Sequence, residues 1–187
     1  MRERLLEYFA DVPIVAAAKS EKELERCLES ACPVVFMLFG DICNVAELVK
    51  KIKAAGKIAV VHLDLVDGLA PKDVSVDFIV SHTEADGIIS TKSNLIRYAK
   101  QKGLLTIQRY FLLDSRVLEN IEKSSSSADF LEVLPGVMPK IIRQLAATTG
   151  KPIIAGGMIR DKEDVLSALS AGAVAISSTN NKVWFME

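Results

Sequence analysis

Pro152-Ile153-Ile154-Ala155-Gly156-Gly157, a polar segment over 161–170, and Ala173-Val174-Ala175-Ile176-Ser177-Ser178-Thr179 form one unit near the end of the chain. Its two apolar runs are short and rich in β-branched residues. The segment between them has helical spacing. Strand, helix, strand is a βαβ unit, whose two strands pair in parallel.

Working outward, the same unit recurs along the chain. Apolar runs lie at 14–19, 34–41, 58–65, 87–90, 104–111, 129–134, 152–155 and 173–177. Helical segments are predicted between them at 20–29, 44–55, 71–82, 93–101, 115–123, 138–148 and 161–170. Ser20 with Glu23 three residues on has the pattern of a capping box. Gly56 and Gly103 stop helices, and Pro135-Gly136 closes a strand. The segment at 71–82 reads as a weaker, shorter helix, and Ser124 to Ser127 as a loop. The runs are almost continuously apolar, as expected of strands covered on both faces.

Eight such runs fit an open doubly wound sheet or a closed (β/α)8 barrel of TIM type. Regular spacing of about 23 residues per unit favours the barrel. At 187 residues the barrel is compact, since the fold usually takes about 250. No helix-length segment follows the eighth run, so the last helix is truncated or missing. Residues 1–12 read as an extra N-terminal helix covering one end, and 1–187 as a single domain. Without an eighth helix, the seam between the last and first strands exposes apolar surface. The tail at 183–186 or a second subunit is expected to cover it, which makes a homo-oligomer an expectation.

Composition sets further bounds. Half of the residues are hydrophobic, a quarter are charged, and the net charge is −1. Mean hydropathy is +0.26. This is a globular mixture with no general attraction to nucleic acid or anionic membrane. No apolar run approaches the roughly 20 residues of a membrane helix. Glu3, Glu7 and Asp11 interrupt any signal-peptide core. Cys27, Cys32 and Cys43 are odd in number and irregularly spaced, which argues against a disulfide framework or a zinc site. A cytoplasmic protein without a metal or cofactor is the expectation.

Barrels of this kind gather function at the C-terminal ends of their strands. Lys19, Asp41, His62, Asp64, Ser90, Thr91, Lys92, Gln108, Arg109 and Glu132 all fall there. An unpaired polar group in a doubly buried strand costs roughly 1–3 kcal/mol, so this concentration reads as a polar mouth. The loops after runs seven and eight are the usual phosphate site of such barrels. Gly156 and Gly157 let backbone N–H groups approach an anion. Ser177, Ser178 and Thr179 add hydroxyl and N–H donors, and a helix start after them would add a positive dipole end. The plain alternative is a tight turn and a solvated loop.

Asp64 and Glu132 can accept hydroxyl hydrogen bonds, or pair with Lys19, Lys92 or Arg109 in a structural network. His62 and Asp64 are two residues apart, but two ligands do not make a metal site. His62 is therefore read as buried and hydrogen-bonded. His82 and Glu84 are read as surface residues, and Cys27 has no apparent catalytic partner. No set of catalytic residues is placed.

Several strings resemble one family. They are His62-Leu63-Asp64-Leu65 with Asp67-Gly68-Leu69, Ile88-Ile89-Ser90-Thr91-Lys92-Ser93, and Gln108-Arg109 before Phe111-Leu112-Leu113-Asp114-Ser115. Glu132-Val133-Leu134-Pro135-Gly136 and the Gly-Gly and Ala-Gly-Ala pieces complete them. Together they resemble the glycerol uptake operon antiterminators, bacterial regulators responsive to glycerol 3-phosphate. The resemblance implies a (β/α)8 barrel that binds glycerol 3-phosphate and then acts on leader mRNA, so that transcription passes a terminator. The residues alone agree on a small phosphorylated polyol, with Lys19, Asp64, Lys92, Arg109, Glu132, Gly156, Gly157, Ser177, Ser178 and Thr179 as its expected contacts.

The residues alone do not point to RNA, for no RNA-binding module or Arg-rich tail is present. Lys50, Lys51, Lys53 and Lys57, and Arg97, Lys100 and Lys102, read as solvated helix faces. If mRNA is bound, the barrel surface itself is expected to touch it. The alternative is a small-barrel enzyme acting on a phosphorylated metabolite, an isomerase or an aldolase using Lys92 or Lys19 as a Schiff-base amine.

Overall fold

The apolar runs become eight parallel strands that close on themselves in sequence order. They are β1 (Ile14–Ala18), β2 (Val34–Met37), β3 (Ile58–His62), β4 (Gly87–Ser90), β5 (Leu105–Phe111), β6 (Phe130–Leu134), β7 (Ile153–Gly156) and β8 (Ala173–Ser178). In the computed structural model, residues 1–123 and 126–186 are described. Closure is direct, since Ile14, Val15 and Ala16 pair with Ile176, Ser177 and Ser178. The open sheet is thereby excluded.

Successive side chains point to opposite faces, so each strand serves two cores. One set fills the lumen, including Val15, Val34, Phe36, Val60, Ile107 and Phe130. The other set, with Val35, Val61, Ile88, Leu131 and Ile153, packs against the helices outside. These helices are α2 (Glu21–Glu29), α3 (Val45–Ala54), α4 (Asp73–His82), α5 (Ser93–Gln101), α6 (Ser115–Lys123), α7 (Pro139–Thr148) and α8 (Lys162–Ser170). The α4 helix has ten residues, as many as any of these, so the expectation of a shorter helix there is corrected. Its polar residues Ser75 and Asp77 had blurred the apolar period. Ser124 and Ser125 of the serine loop lie outside the described residues, whereas Ser126 donates to Gln108 Oε1 at 2.6 Å.

A helix precedes the barrel, α1 (Arg2–Asp11), and it stoppers the N-terminal end. Leu5 and Phe9 are buried in the lumen cluster. The Phe9 ring meets Phe130 edge-on at 5.9 Å. Burying two such side chains contributes roughly 1.5–3 kcal/mol each. At the other closure, α9 (Asn181–Trp184) is a single turn that replaces the eighth crossover helix. It places Val183 and Trp184, both buried, against β1 and β8. Trp184 Nε1 donates to the Ser178 carbonyl at 2.6 Å. Of the two covers expected for the apolar seam, this chain's own tail supplies one. Among the described residues, no helix is long and apolar enough to cross a membrane.

Local side-chain caps hold some of the helix starts. Ser20 Oγ accepts the Glu23 N–H at 3.3 Å, as the capping box requires. Glu23 reaches one residue further back than that pattern predicts, to the Lys19 N–H at 2.7 Å. Asp161 caps α8 by accepting from the Asp164 N–H at 3.0 Å.

Candidate functional site

At the C-terminal end the lumen turns from apolar to polar within one layer. Strand register puts His62, Arg109, Glu132, Gly156 and Ser177 on the inward face, each two residues beyond a lumen residue or paired with one. Arg109 and Glu132 are cross-strand partners on β5 and β6. The guanidinium holds the carboxylate in two places, Nε to Oε2 at 2.5 Å and Nη2 to Oε1 at 3.1 Å. Ser177 Oγ donates to Oε1 at 2.6 Å. Glu132 is wholly buried and Arg109 nearly so. Two charges survive there because each meets its opposite in a bidentate geometry with further hydrogen bonds.

Gly156 is required by this arrangement. A Cβ at that position would collide with Ser177 Oγ and come within 3.0 Å of Glu132 Oε1. Gly157 follows with φ +75°, and Met158 also takes a positive φ, 64°. The left-handed region costs a residue with a Cβ about 1 kcal/mol or more, so Met158 is a strained position in the loop after β7. Its side chain is mostly exposed.

The network opens onto a small pocket of about 100 Å³. Arg109, Glu132, Gly157, Ser177, Ser178 and Thr179 provide its polar wall, and Ala17, Leu38, Leu134 and Ile159 its apolar one. That volume holds several water-sized groups. Ser178 Oγ faces outward, donating to the Ile159 carbonyl at 3.2 Å and accepting the Asn180 N–H at 3.1 Å. It thus ties the loop after β7 to the loop after β8. The dipole contribution foreseen from a helix after β8 is small, since α9 is one turn and Asn180 caps it through the Lys182 N–H.

Three of the expected contact residues lie apart from this pocket. Lys19 is exposed at the end of β1 beside Glu23, with Nζ 3.9 Å from Oε1. Asp64 sits in a 3-10 turn, Leu63–Leu65, and accepts from Ser90 Oγ at 2.5 Å, Thr91 N–H at 2.8 Å and Thr91 Oγ1 at 2.7 Å. Burial pushes its carboxyl up, but these three donors prevail and hold it below the usual carboxylate range. Asp64 therefore joins β3 to β4 without a lysine or arginine partner. Lys92 is exposed and shares a separate hollow of about 190 Å³ with Asp64, Leu69 and Pro71.

His62 departs from expectation. It is 3% exposed, as a buried residue should be. Its Nδ1, however, has no hydrogen-bond partner. Burial first, and the Arg109 charge second, lower its pKa to about 4, so the ring is neutral. The spacing of His62 from the lumen residue Val60 was the signal that it faces inward.

The remaining chemistry is sparse. His82 and Glu84 are exposed, with the imidazole stacked on Phe78. Cys27 is buried, and burial pushes its thiol up to about 12, which leaves it inert. Among the described residues, no three His, Cys, Asp or Glu side chains gather as metal ligands. Larger concavities, of about 480 and 580 Å³, lie on the outside along α3 with α4 and along α2 with α9. Neither holds a buried charge.

A closed, α1-stoppered (β/α)8 barrel with a buried ion pair beneath a small polar mouth is the class of protein defined by these features. The chain belongs to the glycerol-3-phosphate responsive antiterminator family, whose sequence profile matches residues 14–184. It is 42% identical over 182 residues to the uncharacterized protein YgcP of Escherichia coli K12, covering 96% of this chain and 95% of that one. It is similar to the glycerol uptake operon antiterminator regulatory protein of Listeria monocytogenes, at 36% identity and a TM-score of 0.87 over 92% of this chain and 95% of that one. A glycerol uptake operon antiterminator-related protein of Thermotoga maritima follows, at 32% identity and 0.81, over 92% and 98%. Aldolase barrels at 15–16% identity share the fold alone.

Proposed function

We propose that this chain is a regulator that binds glycerol 3-phosphate in the pocket at the mouth of the barrel and, so loaded, acts on leader mRNA of glycerol-utilisation genes to let transcription pass a terminator. The observation that carries the ligand reading is the buried Arg109–Glu132–Ser177 network opening onto the loops after β7 and β8. The backbone of Gly156, Gly157, Ser177, Ser178 and Thr179 receives the phosphate, the Ser177 and Ser178 hydroxyls being given to Glu132 and the Ile159 carbonyl, and Arg109 and Glu132 face the glycerol part. Lys19, Asp64 and Lys92 fall outside this ligand set, as their positions favour a role in the rim. Family membership supports the regulatory role.

Isothermal titration calorimetry with sn-glycerol 3-phosphate tests the ligand, and a gel shift on the leader RNA with and without it tests the response. Gly157→Asp puts a carboxylate where the phosphate sits, and loss of both signals is expected from a variant whose circular dichroism is unchanged. Retained ligand binding in that variant would place the phosphate elsewhere.

The enzyme reading has less support. A Schiff-base lysine needs a desolvated or cation-flanked amine, and both Lys19 and Lys92 are exposed. Borohydride trapping with phosphosugars, read by mass spectrometry, should leave the chain unmodified.

A further inference from the structure

Among the described residues, His62 Nδ1 is the fully buried side-chain nitrogen or oxygen without a hydrogen-bond partner. Such atoms are rare, and each calls for an explanation. The ring stands in the polar layer of the lumen. Val60, two residues earlier, is a lumen residue, and His62 pairs with Ile89, another. Met37 pairs with Val61, so Leu38, a wall of the mouth pocket, runs beside His62, and Arg109 and Glu132, two more of its walls, are charged neighbours of the ring; His62 itself stands behind the residues that line the pocket.

The charged groups facing the ring are Arg109 on β5, Asp64 in the turn after β3 and Glu132 on β6. Both carboxylates are already committed. Both oxygens of Glu132 are taken by Arg109 and Ser177. Both oxygens of Asp64 are taken by Ser90 and Thr91. Arg109 spends Nε and Nη2 on Glu132. Arg109 keeps N–H groups to spare, but none of them reaches the ring, so no group among the described residues bonds Nδ1. A ring kept neutral beside a guanidinium offers one donor and one acceptor, which suits a hydroxyl better than a second anion.

We infer that His62 is a specificity residue of this pocket, hydrogen-bonding a hydroxyl of the bound ligand and so selecting a phosphorylated polyol over a phosphate ester without hydroxyls. This rests on the ligand reading above and goes beyond it by assigning the discrimination to one side chain. A site built to bond a hydroxyl rejects the analogue that lacks it, because its own polar group is then left unpaired.

The test is calorimetry on the full chain with three probes: sn-glycerol 3-phosphate, n-propyl phosphate, which has the same length and no hydroxyl, and inorganic phosphate. Wild-type protein is expected to prefer glycerol 3-phosphate over propyl phosphate by about tenfold, the worth of one net hydrogen bond. His62→Leu should collapse that ratio towards one while leaving propyl phosphate binding nearly unchanged. His62→Gln, whose amide can still bond, should keep part of it. Equal losses for both esters, or an unchanged ratio, would overturn the inference and leave His62 bonded to a buried water. Phosphate binding with no preference for the polyol would leave the pocket standing and sink the His62 role. Binding of none of the probes would take the ligand reading down, and this inference with it. His62 and His82 are the two histidines of the chain. Nitrogen NMR of labelled histidine in the wild type therefore gives an answer independent of variant folding. The His62 Nδ1 signal should move with glycerol 3-phosphate and stay put with propyl phosphate, and no movement with either counts against the contact.

Discussion

Glu132 and Arg109 exchange two hydrogen bonds in a place from which water is excluded, and this sets what their replacement does. Arg109→Ala leaves a buried carboxylate beside a single hydroxyl, and a loss of about 3–5 kcal/mol is expected in urea unfolding. Replacing both by leucine removes both charges and should recover much of that loss. A double variant no more stable than the single ones would mean that the pair itself stabilises the fold. His62 gives a pH-dependent counterpart. Its pKa is near 6.5 unfolded and about 4 folded, so between these values the unfolded chain binds more protons. Stability therefore falls as pH drops through that window, by up to about 3 kcal/mol for this one group. His62→Gln should flatten the slope of unfolding free energy between pH 6.5 and 4, measured against wild type. The inward placement of Arg109, Glu132 and Ser177 was legible from strand positions and residue type. That Asp64 is consumed by Ser90 and Thr91 was not, because the 3-10 turn after β3 breaks the alternation that predicts facing.

At the scale of elements, the least regular piece closes the barrel. One turn of helix, α9, does what a full crossover does elsewhere, by setting Trp184 over the β8–β1 seam. Its indole N–H fixes the Ser178 carbonyl, and its carbonyl lies 3.6 Å from Cys32 Sγ. Trp184→Ala opens a cavity at the junction of α2, β1 and β8 and leaves that carbonyl unbonded. A loss of about 3–5 kcal/mol is expected by chemical denaturation. Because Ser178 lines the pocket, the same variant should also weaken glycerol 3-phosphate binding several-fold, and a purely thermodynamic loss without it would uncouple α9 from the site. The eight strands and the seven long helices were legible from hydrophobic period, with Ser20 marking one start and Gly56 and Gly103 two stops, although Ser75 and Asp77 blurred the period of α4. The tail was foreseen as one of two covers for the seam, but its helical form was not, since a four-residue helix has too little period to read.

Taken whole, the molecule has a net charge of −1 and pairs several of its lysines with carboxylates. Lys51 faces Glu21 and Glu47, Lys53 is bonded to Asp86, Lys100 to Asp129 and Lys102 to Asp77. The basic clusters visible in the sequence are therefore largely neutralised by carboxylates that only the fold brings near. An RNA bound at these two clusters meets few unpaired cations, chiefly Lys50 and Arg97. With about two to four phosphate contacts, the slope of log affinity against log salt should have a magnitude of only about 2–4, and a far steeper slope would place the RNA on cations outside these two clusters. Ligand control follows from linkage. If glycerol 3-phosphate binds the folded barrel alone, one hundred times its Kd should stabilise it by about 2.7 kcal/mol. That corresponds to a rise in Tm of about 5–10 °C for a chain of this size. If the loaded barrel is also the form that holds RNA, the two affinities must rise by one common factor, typically between about 5 and 150. Titrating each partner in the presence and absence of the other measures that factor twice. Two unequal values would break the thermodynamic cycle and reveal a further species, such as a second copy of the chain joining on RNA. Two values of one would leave a barrel that binds its ligand without reporting it to the RNA.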